Sequence, residues 1–456
     1  MKTNNPSLNI RNFKSYKEAT LPLAPLTLLI GANASGKSNA IEAFRFLSWV
    51  AGGERLSTLK NRVNDSDKVV RGSIKDLAFN DENDFSLTFS DAENISYSGV
   101  FIINDSQLLL SGEVYSEGES SIFFYRGKDF KEILLKYLNK SIIEESHCLQ
   151  EDIKLEDSSR SKWMFKRISD FVVAANFPEK DLSILSMRDL YRVIWQGFYD
   201  VTKVRPINID TLDRLSDFLT TTLFFDFVPY NMRRDSVLDS TLRNDGSNLA
   251  GVLFNICQDP LTKSKLLQLI QSLPEQDITD IKFYVDHRER IEFSLIETFG
   301  DNPIERTMDL LSDGTLKVLG IGAALLSVPE GATVVIEEID NSIHPTRAHE
   351  ILTLLRRYAT ERKLNLLLST HNPALMDALP DAALADVVFC YRDPKWGDSK
   401  LVRLGDLEDY LGLVAQGSLG ELVTQGIVER FVKDPATPEQ RKSQALDWLS
   451  QLQKAD

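Results

Sequence analysis

Gly31-Ala32-Asn33-Ala34-Ser35-Gly36-Lys37-Ser38 fits the pattern G-x-x-x-x-G-K-S/T at every fixed position. Before it, Leu26-Thr27-Leu28-Leu29-Ile30 is an apolar run that predicts a buried strand. After it, Asn39-Ala40-Ile41-Glu42-Ala43-Phe44-Arg45-Phe46-Leu47 carries apolar residues at helical spacing. Strand, glycine loop and helix together aim backbone N–H groups and a helix N-terminus at phosphates. Gly31 and Gly36 allow the tight turn and the close backbone approach. Asn33, Ala34, Ser35 and Asn39 complete the expected cradle. Lys37 is expected to pair with the β- and γ-phosphates, and the Ser38 hydroxyl to take a position on Mg²⁺. The predicted ligand is a nucleoside triphosphate.

Composition sets the frame. A chain of 456 residues with 43% hydrophobic and 26% charged residues is built like an ordinary globular protein of two or three domains. No apolar run approaches the ~20 residues that span a bilayer. Met1-Lys2-Thr3-Asn4-Asn5-Pro6 lacks the apolar core of a signal peptide. Cys148, Cys257 and Cys390 are scattered and form no C-x-x-C pair, which predicts a cytoplasmic, reducing setting without disulfides or a zinc hook. A net charge of −15 supplies no global attraction to nucleic acid, although a local basic face stays compatible with it.

Patterning divides the chain into four stretches. Residues 1–125 are strand-rich, with alternation in Leu8-Asn9-Ile10-Arg11-Asn12-Phe13, Phe85-Ser86-Leu87-Thr88-Phe89 and Tyr97-Ser98-Gly99-Val100-Phe101-Ile102-Ile103. Residues 126–225 turn helical, with few glycines, mixed charges and no sustained heptad, and are expected to form a helical insertion. Strands and helices alternate again over 226–400, and the polar tail 401–456 is expected to end in a surface helix from Thr437 to Lys454. The expected fold class is α/β.

Three more stretches narrow the choice among P-loop proteins. Thr333-Val334-Val335-Ile336-Glu337-Glu338 is an apolar strand closing on two carboxylates. Glu337 is expected to hold Mg²⁺ through a water, and Glu338 to act as the base that polarises the attacking water. Leu366-Leu367-Leu368-Ser369-Thr370-His371 is a second buried strand, and its terminal histidine can reach the γ-phosphate or orient the carboxylate and water. Leu311-Ser312-Asp313-Gly314-Thr315 opens a helical stretch from Leu316 to Leu326 and offers N–H groups and a hydroxyl to an anion.

In order and spacing these motifs resemble the ABC-type ATPases of the SMC/RecF group, and among them the compact bacterial ATPases with an OLD-like head and no nuclease domain. The marks are Asn12-Phe13-Lys14-Ser15, the Walker A loop 31–38, the signature 311–315, the Walker B strand 333–338, Asn341-Ser342-Ile343-His344-Pro345 as the D-loop, and His371 as the switch histidine. The resemblance implies a P-loop NTPase with an ABC-type head, a mixed and largely parallel sheet flanked by helices, and an ATP-sandwich homodimer or higher oligomer. Lys37, Ser38, Glu337, Glu338 and His371 would act in one protomer, while Ser312 and Gly314 would act on the partner's nucleotide. By order alone, Gln107 falls where the family's glutamine loop would lie. Two positions depart from the pattern. Glu337 replaces the family's aspartate, and Asp313 replaces the signature's first glycine. The second change places a carboxylate near the partner's phosphates, which weakens closure unless a base or Mg²⁺ offsets it and predicts slow turnover.

Some features stay open at the level of sequence. Arg160, Lys162, Lys166 and Arg167 bracket Trp163 and Phe165, a grouping that fits phosphate contact with base stacking and equally an amphipathic helix with snorkelling lysines. Phe227-Val228-Pro229-Tyr230-Asn231-Met232-Arg233-Arg234, which precedes Asn244-Asp245-Gly246-Ser247-Asn248-Leu249, implies by similarity a structural role beneath the nucleotide site. Tyr391-Arg392-Asp393-Pro394 and Gly417-Ser418-Leu419-Gly420-Glu421-Leu422 resemble the tails of such ATPases without suggesting a mechanism. The resemblance implies ATP hydrolysis coupled to a protein effector, such as a nuclease in a bacterial anti-phage system. The alternative is a DNA-repair ATPase that clamps duplex DNA directly.

Overall fold

The computed structural model describes residues 5–52, 56–61, 69–80, 82–104, 107–117, 120–126, 148–151, 209–271, 277–300, 302–339 and 347–433. The chain forms two compact units, one from Thr3–Leu21 with Asn39–Thr220, the other from Pro22–Ser38 with Thr221–Asp456.

The chain begins with strands β1 (Ser7–Phe13), β2 (Tyr16–Pro22) and β3 (Thr27–Ile30), followed by helix α1 (Lys37–Ala51). Strands β4 (Asp84–Ser90), β5 (Ile95–Asn104), β6 (Gln107–Glu117), β7 (Ser120–Arg126) and β8 (Cys148–Glu151) and helix α2 (Ile209–Thr220) belong to the first unit, while β3 belongs to the second. Its sheet has the order β2-β1-β4-β5-β6-β7-β8. Alternation sets the faces: Leu8 and Ile10 of β1 are buried, and Arg11 pairs with Glu18 across the hairpin. Antiparallel register places Ile10 opposite Leu87 and Phe85 opposite Phe101. Phe46 of α1 meets Phe85 and Phe101 edge-on with centroids 5.7 and 5.0 Å apart, so aromatic packing ties α1 to this sheet. The Asn12-Phe13-Lys14-Ser15 turn puts Lys14 at φ 48°, and the Lys14 N–H donates to Leu77 O at 2.8 Å. Gln107 is exposed at the start of β6, opposite Asn104.

The second unit holds β9 (Leu223–Phe225), α3 (Pro229–Met232), α4 (Leu249–Ile256), α5 (Pro260–Ile270), β10 (Ile278–Val285), β11 (Ile291–Phe299) and β12 (Asn302–Thr307). It continues with α6 (Asp313–Ser327), β13 (Thr333–Ile336), α7 (Ala348–Glu361), β14 (Asn365–Ser369), α8 (Pro373–Asp377), β15 (Val388–Arg392), β16 (Ser399–Arg403) and α9 (Leu419–Thr424). The main sheet has the order β16-β15-β3-β14-β13-β9 and is parallel except at β16. Its inner strands β3 and β13 are buried at every residue, as expected for a parallel sheet covered on both faces. Strands β10, β11 and β12 form a separate antiparallel sheet. Helix α6 is apolar almost all round, and a Cβ at its Gly320 would stand 2.8 Å from Met232 Cε. The protein has the α/β fold of a P-loop NTPase.

Of the expected helical insertion, residues 127–147 and 152–208 lie outside the described residues, as do the basic–aromatic stretch 160–167, the D-loop 341–345 and the tail helix 437–454. The helical pattern does not run to Phe225: Leu223–Phe225 is a strand pairing in parallel with β13. Three apolar residues carry no readable period, and only the neighbouring strand decides their conformation. Among the described residues no helix is long and apolar enough to cross a membrane.

Candidate nucleotide-binding site

The loop 31–38 connects β3 to α1, which begins at Lys37. Its turn closes through the Ser35 N–H, which donates to Ala32 O at 3.2 Å. Gly31 has φ 148° and Gly36 φ 121°, and a Cβ at Gly31 would lie 2.2 Å from the carbonyl oxygen of Cys390 in β15. A side chain is therefore excluded there by both conformation and space. Ala34 adopts φ 62°, left-handed backbone that costs an L-residue about 1–2 kcal/mol. Asn33 and Ala34 are exposed at the tip, and Ser35 is buried. The Lys37 ammonium folds across the loop and donates to Gly31 O at 2.6 Å and Ala32 O at 3.1 Å. Ser38 is the second residue of α1, and the Asn39 amide donates to Ser15 Oγ at 2.8 Å.

Two residues brace the loop from outside. Ser399 Oγ donates to Ser35 O at 2.6 Å, and Arg392 Nε donates to Ala34 O at 3.3 Å while its Nη1 donates to Gly397 O at 2.7 Å. The β15–β16 hairpin thus fastens the Ala34 and Ser35 carbonyls of the loop. Arg392 belongs to a stretch that the sequence reading could not interpret, because its partner lies far away in the chain. The same holds for Gly417–Leu422. The Gly420 N–H donates to Asp377 Oδ1 at 2.6 Å, and a Cβ there would come within 2.2 Å of Pro373 O. Helix α9 therefore packs closely on α8, the helix that follows His371.

Parallel pairing aligns the remaining residues. Ile336 of β13 is opposite Leu368 of β14, and Ser369 of β14 is opposite Leu29 of β3. Glu337 directly follows the last residue of β13, and its N–H points to Phe225 O of β9 at 3.5 Å. The acids, the histidine segment and the phosphate loop thus leave the same carboxyl edge of the sheet, where open α/β sheets bind ligands. Glu337 is half-buried and Glu338 exposed. Glu338 adopts φ 51°, and its N–H donates to Ser369 Oγ at 3.0 Å. A non-glycine residue held in this conformation by a neighbouring strand is local strain of the kind found at functional sites. The Thr370 N–H donates to Leu29 O at 3.2 Å, and Asn372 caps α8 by accepting from the Ala374 N–H at 3.0 Å. His371 sits exposed between these two anchors.

The signature turn is built separately. Ser312 caps α6, its Oγ accepting from the Thr315 N–H at 3.1 Å and standing 2.8 Å from Thr315 Oγ1. Asp313 and Gly314 form the first turn of that helix. The Asp313 carboxylate receives Arg233 Nη2 at 2.7 Å, and the same nitrogen donates to Leu311 O at 2.8 Å. The base that this departure from the glycine pattern called for is therefore supplied by the chain itself. It lies 80 residues away, and no local pattern announces it.

These groups fit a magnesium nucleotide. The loop leads into the N-terminus of α1 and carries the Lys37 ammonium, both suited to phosphates, and Ser38 with Glu337 offers oxygens suited to a hard cation.

A family model described as "AAA domain, putative AbiEii toxin, Type IV TA system" matches residues 26–377, a span from β3 to the end of α8. Among solved structures, the chain is similar to an SMC head domain from Thermotoga maritima, with 13% identity, 87% of this chain and 97% of that chain covered, and a TM-score of 0.37. It is also similar to an Smc head domain with an extended coiled coil bound to the C-terminal domain of ScpA, derived from Pyrococcus furiosus, with 14% identity, 90% and 100% coverage, and a TM-score of 0.42. No curated protein matches the sequence.

Proposed function

The chain belongs to the AAA-domain family described as putative AbiEii toxin of Type IV toxin–antitoxin systems, and from that premise we propose that it hydrolyses ATP within a homodimer whose closing and opening switch a separate effector protein. As a member of this family it is a nucleotide-binding P-loop ATPase. Lys37 and the N–H groups of the loop would bind the phosphates, and Ser38 and Glu337 would hold Mg²⁺. When bound, Mg²⁺ supplies charge neutralisation at the β- and γ-phosphates. Glu338 takes the proton of the attacking water, and His371 orients that water and the carboxylate. Ser312 and Gly314 of one protomer close over the nucleotide of the other. The effector is most simply a toxin or nuclease encoded separately and controlled in the cytoplasm, with anti-phage defence as the setting.

The observation that supports this reading is the parallel pairing of β3, β14 and β13, from whose carboxyl ends the phosphate loop, the histidine segment and the two acids follow in sequence. The test is Ser312→Arg, followed by sedimentation with ATP. The variant is expected to bind ATP as a monomer and to fail to dimerise. An ATP-induced dimer equal to that of the wild type would refute the role across the interface.

A further inference from the structure

We propose that Arg233 is a positioning residue of the signature turn, which masks the Asp313 carboxylate so that the start of α6 can receive the partner's γ-phosphate. This inference rests on the dimeric ATPase reading above and adds the device that makes this chain's unusual signature workable.

The chemistry starts from a conflict. A helix N-terminus favours an anion through its unpaired N–H groups. Asp313 places a fixed negative charge in that same first turn, with its side chain 65% exposed. Like charges brought together at an interface oppose association. Arg233 resolves the conflict with one nitrogen, since Nη2 reaches both Asp313 Oδ1 at 2.7 Å and Leu311 O at 2.8 Å. It therefore neutralises the carboxylate and ties it to the residue before the capping serine. The Arg233 side chain as a whole stays 25% exposed, and a guanidinium has more N–H donors than the two bonds of Nη2 use.

The placement of Arg233 is built into the fold. Met232, the preceding residue, is fully buried between two glycines. A Cβ at Gly246 would lie 2.8 Å from Met232 Cγ, and one at Gly320 of α6 would lie 2.8 Å from Met232 Cε. The turn before α4 secures the other side, with Asn231 Nδ2 donating to Asp245 Oδ2 at 2.9 Å and the Val228 N–H to Asp245 O at 3.1 Å. Short α3 is thus wedged against α6, and its C-terminal neighbour must emerge beside the signature. The Phe227–Arg234 stretch, structural by similarity, acquires a stated purpose.

The test compares wild type, Arg233→Ala, Asp313→Gly and the double variant for phosphate release at saturating ATP and for ATP affinity at protein concentrations that keep the chain monomeric. Arg233→Ala is expected to lower turnover by about tenfold or more, as for an unmasked like charge at an interface, with monomer affinity within about twofold. The double variant is expected to recover to within about threefold of Asp313→Gly, because without the carboxylate there is nothing to mask. A merely structural Arg233 gives no such rescue, since Leu311 O loses its partner in both backgrounds. Wild-type turnover in Arg233→Ala, or a double variant as slow as Arg233→Ala, overturns the proposal alone. A wild-type chain that neither turns over ATP nor dimerises with it overturns the ATPase reading and this proposal together.

Discussion

Replacing Gly31 by alanine tests how tightly the phosphate loop is fastened to the sheet. Two penalties combine at this position. The backbone sits at φ 148°, a region that L-residues rarely adopt, which costs about 1–3 kcal/mol. The new Cβ would also stand 2.2 Å from the Cys390 carbonyl oxygen and 3.1 Å from its carbon. Both are backbone atoms of β15, which pairs with β3 itself, so relief requires parting two hydrogen-bonded strands rather than turning a side chain. Forced overpacking of this kind adds about 1–3 kcal/mol. The expected loss is about 2–6 kcal/mol, together with weaker ATP binding because the loop must shift. Gly331→Ala is the control, since its φ is 80° and a Cβ there meets nothing within 4 Å. It isolates the conformational penalty, about 1–2 kcal/mol. Urea unfolding followed by tryptophan fluorescence measures both, and a fluorescent ATP analogue measures binding. If Gly31→Ala is no less stable than Gly331→Ala and binds nucleotide normally, the close approach of β15 to the loop does not have the consequence claimed for it.

Other expectations follow from the same geometry. Glu338→Gln should leave ATP binding intact, accumulate an ATP-bound dimer and slow phosphate release by roughly 10² or more, as for a lost general base; release at the wild-type rate would remove Glu338 from that role. Ser399→Ala removes the bond to Ser35 O and should destabilise the loop by about 1 kcal/mol, raising the Kd for ATP several-fold without changing the rate at saturation; an unchanged Kd would show that the hairpin does not brace the loop. Burial pushes the Cys257 thiol from an ordinary 9.0 up to about 11, against the weaker downward pull of Lys263. Its alkylation in the native protein should therefore be about a hundredfold slower than that of an ordinary thiol near pH 8 and accelerate up to about pH 11, as mass spectrometry of labelled peptides would show. The sign for stability agrees: with the folded value raised, the thiol's contribution is complete below pH 9.0 and declines as the pH rises through about 11.

Much of the candidate site was legible because the proposed chemistry is local. The loop 31–38, the acids after β13 and the histidine after β14 each announce themselves within a few residues, since each needs an apolar strand directly before a polar turn. Buried parallel strands read as continuous apolar runs, so β3, β13 and β14 were recognisable. What stayed hidden was held by long-range contact. Arg392 and Ser399 reach the loop across more than 350 positions, Arg233 reaches Asp313 across 80, and Gly420 meets Asp377 across 43. Such pairs leave no period and no spacing, and a surface-looking arginine gives no sign of its partner. Strand β9 escaped for a related reason: three residues beside a helical stretch become a strand only because β13 offers an unpaired edge.

The central claim is that two protomers hydrolyse ATP together, and the most direct measurement is phosphate release per protomer across a series of protein concentrations, with and without duplex DNA. Turnover per protomer that rises with concentration and then saturates, and that ignores DNA, is the predicted result. Turnover that is independent of concentration, or absent throughout, would contradict catalysis by a dimer, and stimulation by DNA would replace the protein effector with a nucleic-acid clamp.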